Sequence, residues 1–159
     1  MASPVGTRLT LAAMMTATIA VAVACDRAAA GQARTSELLA IQVAGTRTRP
    51  AAEFNDSVAK AVSARQEWPS DPIAVARRFA QWGTERRAIW AIEGRGEHPS
   101  RYTIVAITDD LPDDSIRGRR LDVVLELHDD QSWRVADARE SWRCWSGRGH
   151  ETFGTDACR

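Results

Sequence analysis

Apolar positions along the chain change their spacing twice, and each change marks a different kind of structure. Leu9 to Ala24 runs for sixteen residues without a charge. From Pro50 the spacing becomes helical: Phe54, Val58, Ala61 and Val62 form one stripe, with Glu53, Asp56, Lys60 and Arg65 off it. Pro50 suits the first turn of that helix, where its missing N–H costs nothing. Trp68-Pro69-Ser70-Asp71 breaks the pattern. Asp71 is then a good N-cap for a second helix with Pro72 at its first position. Its apolar face is Ile73, Ala76, Phe79 and Ala80, with Arg77, Arg78 and Gln81 outside and Gly83 as the stop. Upstream, Thr35 to Ala44 reads either as a short helix capped by Thr35 or Ser36 and stopped at Gly45, or as a strand through the alternation of Leu39, Ile41 and Val43.

Beyond Gly83 the period shortens to two. Glu85 to Glu93 contains the apolar run Ala88-Ile89-Trp90-Ala91-Ile92, and Gly94 to Pro99 is a turn cluster. Tyr102 to Thr108 alternates, and Asp109 to Arg119 reads as a loop. Leu121, Val123, Leu125 and Leu127 then alternate with Asp122, Val124, Glu126 and His128. Asp129-Asp130-Gln131 turns the chain into a last strand from Trp133 to Trp145, whose phase blurs at Ala136-Asp137-Ala138, as at a β-bulge. Helices followed by strands on short loops predict an α+β domain, with two N-terminal helices packed on a four-stranded antiparallel sheet. This order, with Ser132-Trp133-Arg134-Val135 in the closing hairpin of Leu121 to Asp137, resembles NTF2-like and cystatin-like domains. It lacks the third helix of the NTF2-like pattern between the first strands, and a shared fold would not transfer a function.

The uncharged run at the start follows a short segment carrying Arg8 and exits through Ala22-Val23-Ala24-Cys25. It is short for a transmembrane span, which needs about 20 apolar residues, and has the form of a secretory signal peptide. With its terminal cysteine it resembles bacterial lipoprotein precursors, departing from them at Ala22, where that family prefers Leu. The resemblance implies cleavage after residue 24, acylation of Cys25 and a membrane anchor facing the periplasm or exterior. Asp26 fits the inner-membrane retention rule of Gram-negative lipoproteins. Ala22-Val23-Ala24 and Ala28-Ala29-Ala30 also allow ordinary signal cleavage and a secreted soluble protein, and a retained anchor is the third reading. Residues 25–34 are expected to form a tether and 35–159 a single domain.

Arg and Lys number 21, as do Asp and Glu, so the formal charge is zero and nucleic acid is not an expected partner. Lys60 is the only lysine and Asn55 the only asparagine, a bias read as genomic base composition. With Cys25 used for lipid, Cys144 and Cys158 remain, and in an oxidising compartment they should pair. Closing that loop is worth about 3 kcal/mol. The stapled tail offers Trp142, Trp145, Arg148 and His150 either as a recognition surface or as a cover over the sheet end. His98, His128 and His150 are too scattered for a zinc site, so no metal or cofactor is expected. His128 with Glu126 could form an acid–base pair or simply face water. Asp109-Asp110 and Asp113-Asp114 read as a solvated turn without calcium spacing, and the doubled arginines 77–78, 86–87 and 119–120 as surface charge. No nucleophile-elbow, zincin, Walker A or dinucleotide motif occurs. The expected function is a non-catalytic binding or accessory module of the envelope, for an envelope protein or a small apolar ligand. The alternatives are an inhibitor or immunity-like protein acting through the 144–158 loop, and a small hydrolase or isomerase using a histidine.

Overall fold

The structure is a computed structural model that describes residues 31–81 and 89–159. The expected signal peptide, residues 1–24, and Cys25, Gly83, Arg86 and Arg87 lie outside those residues. The chain divides into two units, Met1–Ala40 and Ile41–Arg159. In the first, residues 31–40 form a helix, α1. Thr35 sits inside it, its hydroxyl bonded to the Gly31 carbonyl at 2.9 Å, so the expected cap at Thr35 is not found. No helix among the described residues is long and apolar enough to cross a membrane.

The second unit is α+β, with a five-stranded antiparallel sheet instead of the expected four strands. Its elements are β1 (Arg47–Thr48), α2 (Ala52–Ser63), α3 (Pro72–Ala80), β2 (Ile89–Gly94), β3 (Arg101–Thr108), β4 (Ile116–Leu127) and β5 (Trp133–Cys144). The sheet order is β1-β5-β4-β3-β2. The added strand, β1, is two residues long, too short for any alternation to show. Pro50 lies just outside α2, and Trp68–Ser70 forms a 3-10 turn before α3. Asp71 caps α3 as expected, accepting from Ile73 N–H at 2.8 Å. The helix ends at Gln81, which takes the left-handed conformation at φ 56° two residues before the expected glycine.

Helix α2 contacts β5, and α3 contacts β4 and β5. Val75, Ala76, Phe79 and Ala80 bury against Ile104, Ala106, Leu121, Val123, Leu125, Trp133, Val135 and Ala138. Phe54 extends this core by edge-on contact with Phe79 at 5.1 Å between ring centres. The expected bulge exists: Val124 pairs with Asp137 and Leu125 with Val135, leaving Ala136 unpaired. Strand β4 begins at Ile116, so residues 116–119 belong to the sheet and not to a loop.

Two polar contacts hold parts of this fold that apolar packing does not. Asn55 on α2 donates to the Val135 carbonyl at 2.9 Å and accepts from the Val135 N–H at 3.0 Å, satisfying the backbone of β5 beside its bulge. Asp109 and Arg143, 3% and 7% exposed, form a buried ion pair through two bonds of 2.6 and 2.9 Å. A Cβ at Gly118 would lie 2.8 Å from the Asp109 carboxylate, so the pair needs glycine on β4. Asp109 is therefore not part of a solvated turn.

Asn55→Ala is expected to cost about 1–3 kcal/mol, because it strands a backbone donor and acceptor together. Urea titration of the variant measures it. Asp109→Ala should cost about 3–5 kcal/mol by leaving Arg143 buried and unpaired. The double replacement Asp109→Leu with Arg143→Met should recover part of that loss in the same titration.

Candidate functional site

The stapled tail and a neighbouring cavity both gather polar side chains. Cys144 and Cys158 are disulfide-bonded, as their number and the expected compartment suggested. Gly149, at φ 150°, passes so close that a Cβ would meet Cys144 Sγ at 2.7 Å. Within the loop, Gly154 exchanges two backbone hydrogen bonds with Trp142, and Phe153, fully buried, bridges in parallel to Val43. The tail thus adds backbone pairing to the outer edge of β5.

Three of the four tail residues singled out from the sequence are engaged inside this arrangement. Trp142 Nε1 donates to the Asp156 carbonyl at 2.9 Å, and Trp145 Nε1 to the Asp113 carbonyl at 2.7 Å. His150 places Nδ1 at 2.8 Å from the Thr152 carbonyl and Nε2 at 3.0 Å from the Asp156 carbonyl. Only the doubly protonated ring can donate to both. The Thr152 carbonyl chiefly raises the His150 pKa above its usual value, burial opposes it, and the Asp156 carbonyl and carboxylate add to the rise. Arg148 is exposed beyond them in the turn that follows Trp145. Cys144 Sγ, Cys158 Sγ and a His150 nitrogen lie within 4.8 Å of one another, a set of metal-ligating types. The disulfide occupies both sulfurs and the carbonyls both nitrogens, so in this oxidised tail the set is committed to holding the loop.

The other histidines lie apart from these groups. His98 is exposed in the turn before β3. His128 lies beyond the end of β4, exposed in the hairpin turn, and Glu126 is paired with Arg101 at 2.6 Å, so the two do not form an acid–base pair. Asp113 accepts from the Ile116 and Ser115 N–H groups, which hold its carboxyl below the usual range.

The cavity, about 490 Å³, opens between β1, the end of α3, the first half of β4 and the end of β5. Arg47, Arg49, Arg119, Glu140, Leu121 and Trp142 line it. Cross-strand pairing puts Arg47, Glu140 and Leu121 on one sheet face, together with Arg119 and its partner Trp142. Ser141 and Arg120 also line it, but alternation turns their side chains to the opposite face, where Arg120 clasps Asp122 at 2.7 and 2.8 Å. Arg47 donates to Glu140 at 2.7 Å and stacks on Trp142 at 4.8 Å. Arg49 binds the Phe79 carbonyl at 2.8 Å at the end of α3 and approaches Glu140 at 3.9 Å. Arg119 is exposed and acts on Asp113 only through its charge.

Sequence reasoning missed Arg47, Arg49 and Glu140 and read Arg119 as surface charge. The available signals were Arg-Thr-Arg at 47–49 and Arg119 two residues before Leu121 of β4. Neither has meaning until β1 is known to pair with β5.

Because the folded-state pKa of His150 is raised, the bonds of its imidazolium contribute fully below the ordinary histidine value of about 6.5. They are lost as pH climbs through the raised value. Amide exchange of Cys144 and Gly154 should therefore quicken as pH rises above about 6.5, beyond the intrinsic base-catalysed rise. His150→Ala should abolish that excess; an unchanged excess in the variant contradicts the assignment. No protein-family model, no curated protein and no solved structure matches the chain, so the reading of its site rests on its own side chains.

Proposed function

We propose that the protein is a non-catalytic binding module of the cell envelope, anchored by lipid on Cys25, that takes its ligand in the arginine-lined cavity. The observation that carries this reading is the cavity itself, whose volume falls in the range of small-molecule sites. Its one lining carboxylate, Glu140, is tied to Arg47 and near Arg49, which suits an ion pair and not a general base. The interface of α2 and α3 with the sheet is filled by core side chains, so the support is for a polar ligand in place of the apolar one first expected. The export and lipid parts rest on the Ala22-Val23-Ala24-Cys25 exit and on the pairing of the two remaining cysteines. The exposed Arg148 at the tip of a rigid loop favours the inhibitor-like reading as the second choice.

Palmitate labelling in cells should mark the wild type and spare Cys25→Ser. Native mass spectrometry of the full chain, purified from membranes, should find a small molecule retained by the wild type and by Arg148→Ala and lost from Arg119→Glu. Label on Cys25→Ser contradicts the anchor. An adduct that depends on Arg148 and not on Arg119 contradicts the cavity.

A further inference from the structure

We infer that the cavity is an oxyanion site, built for a small soluble molecule that carries a carboxylate or phosphate on an apolar body. This deepens the binding-module reading and rests on it for the place of the site. Three arginines, Arg47, Arg49 and Arg119, face a single carboxylate there, so two positive charges have no counter-charge in the lining. Like charges gathered in a hollow with apolar walls focus a field that draws anions more strongly than the same charges spread on a flat surface. Ile116 and Trp142 supply those walls, with the fully buried Leu121 packed beneath them.

Two of the guanidinium groups are already held in place. Arg47 lies between Glu140 and the Trp142 ring, and Arg49 is fixed by the last carbonyls of α3 and by the Phe79 ring at 4.8 Å. A ligand meeting them does not have to order them, which is the usual entropic cost of binding to long side chains. Arg119 stands on β4 opposite Trp142, on the same face as the other two. It supplies a planar fork of N–H donors that matches a carboxylate or phosphate with two parallel bonds. The neutral chain and the concave shape of the cluster favour a compact anion over a nucleic-acid backbone. The apolar walls favour a ligand with a body as well as a charged head.

The test is calorimetric titration of the full chain in nonionic detergent, at ionic strength held constant with sodium chloride. The probes are inorganic phosphate, phenyl phosphate and benzoate. Saturable one-site binding is expected, with phenyl phosphate tighter than inorganic phosphate because its ring meets Ile116 and Trp142. The comparison of phenyl phosphate with benzoate identifies which head group the site prefers. Arg119→Gln should weaken binding about tenfold or more without moving the melting temperature, and Arg148→Gln should leave it unchanged. Absence of saturation by all three probes up to about 20 mM, or binding equal in wild type and Arg119→Gln, overturns the oxyanion assignment. If native mass spectrometry still finds an Arg119-dependent adduct in that case, the binding-module reading survives and only the ligand class falls.

Discussion

The buried pair of Asp109 and Arg143 sets the geometry of everything at its end of the sheet. It joins the residue that follows β3 to the penultimate residue of β5 across Gly118 of β4. Breaking such a pair is expensive because the remaining charge has no water to turn to. With Arg143 committed to one sheet face, strand alternation sends Trp142 to the other, where it lines the cavity. Cys144, the next residue along, then begins the staple. One ion pair therefore fixes both where the tail starts and which way the cavity wall faces.

The outer edge of β5 shows why the cavity lies where it does. An open edge invites pairing with other chains, and here three separate pieces of chain cover it. Asn55 satisfies Val135, β1 pairs with Arg139 and Glu140, and Gly154 of the tail pairs with Trp142. Because β1 is only two residues long, the arginines at and just after it reach past the edge to Glu140 and the end of α3. The same short strand that protects the edge thereby gathers positive charge over the sheet. The tail supports this wall from behind, since Trp142 and His150 both bond the Asp156 carbonyl.

What the sequence made legible was whatever depends on local period and chemistry. The stripe of α2, the Asp71 cap of α3, the alternation of β3 and β4 and the bulge near Ala136 are properties of neighbours along the chain, and the cysteine pairing follows from there being two cysteines beyond Cys25. What stayed hidden depends on partners far away in sequence. Asn55 looked like a rarity of composition until the backbone of Val135, 80 positions on, lay against it. Asp109 looked solvated until the fold brought it against Arg143, 34 positions on. Arg47 and Arg49 gave no signal because two strand residues carry no period. Of the tail residues that drew most attention, Trp142 and His150 build the staple's internal bonds and Trp145 ties it to the Asp113 carbonyl before β4, which leaves Arg148 facing outward.

The central claim is that ligand meets this protein at the cavity between β1, α3 and β5 and not at the stapled tail. Placing a photo-crosslinking residue at Gln81, on the cavity rim, or at Arg148, and irradiating cells that express each full chain, compares the two places directly. The account predicts a discrete small-molecule mass increment on the protein substituted at Gln81 and none on the protein substituted at Arg148. A protein adduct from position 148, with position 81 silent, would contradict it.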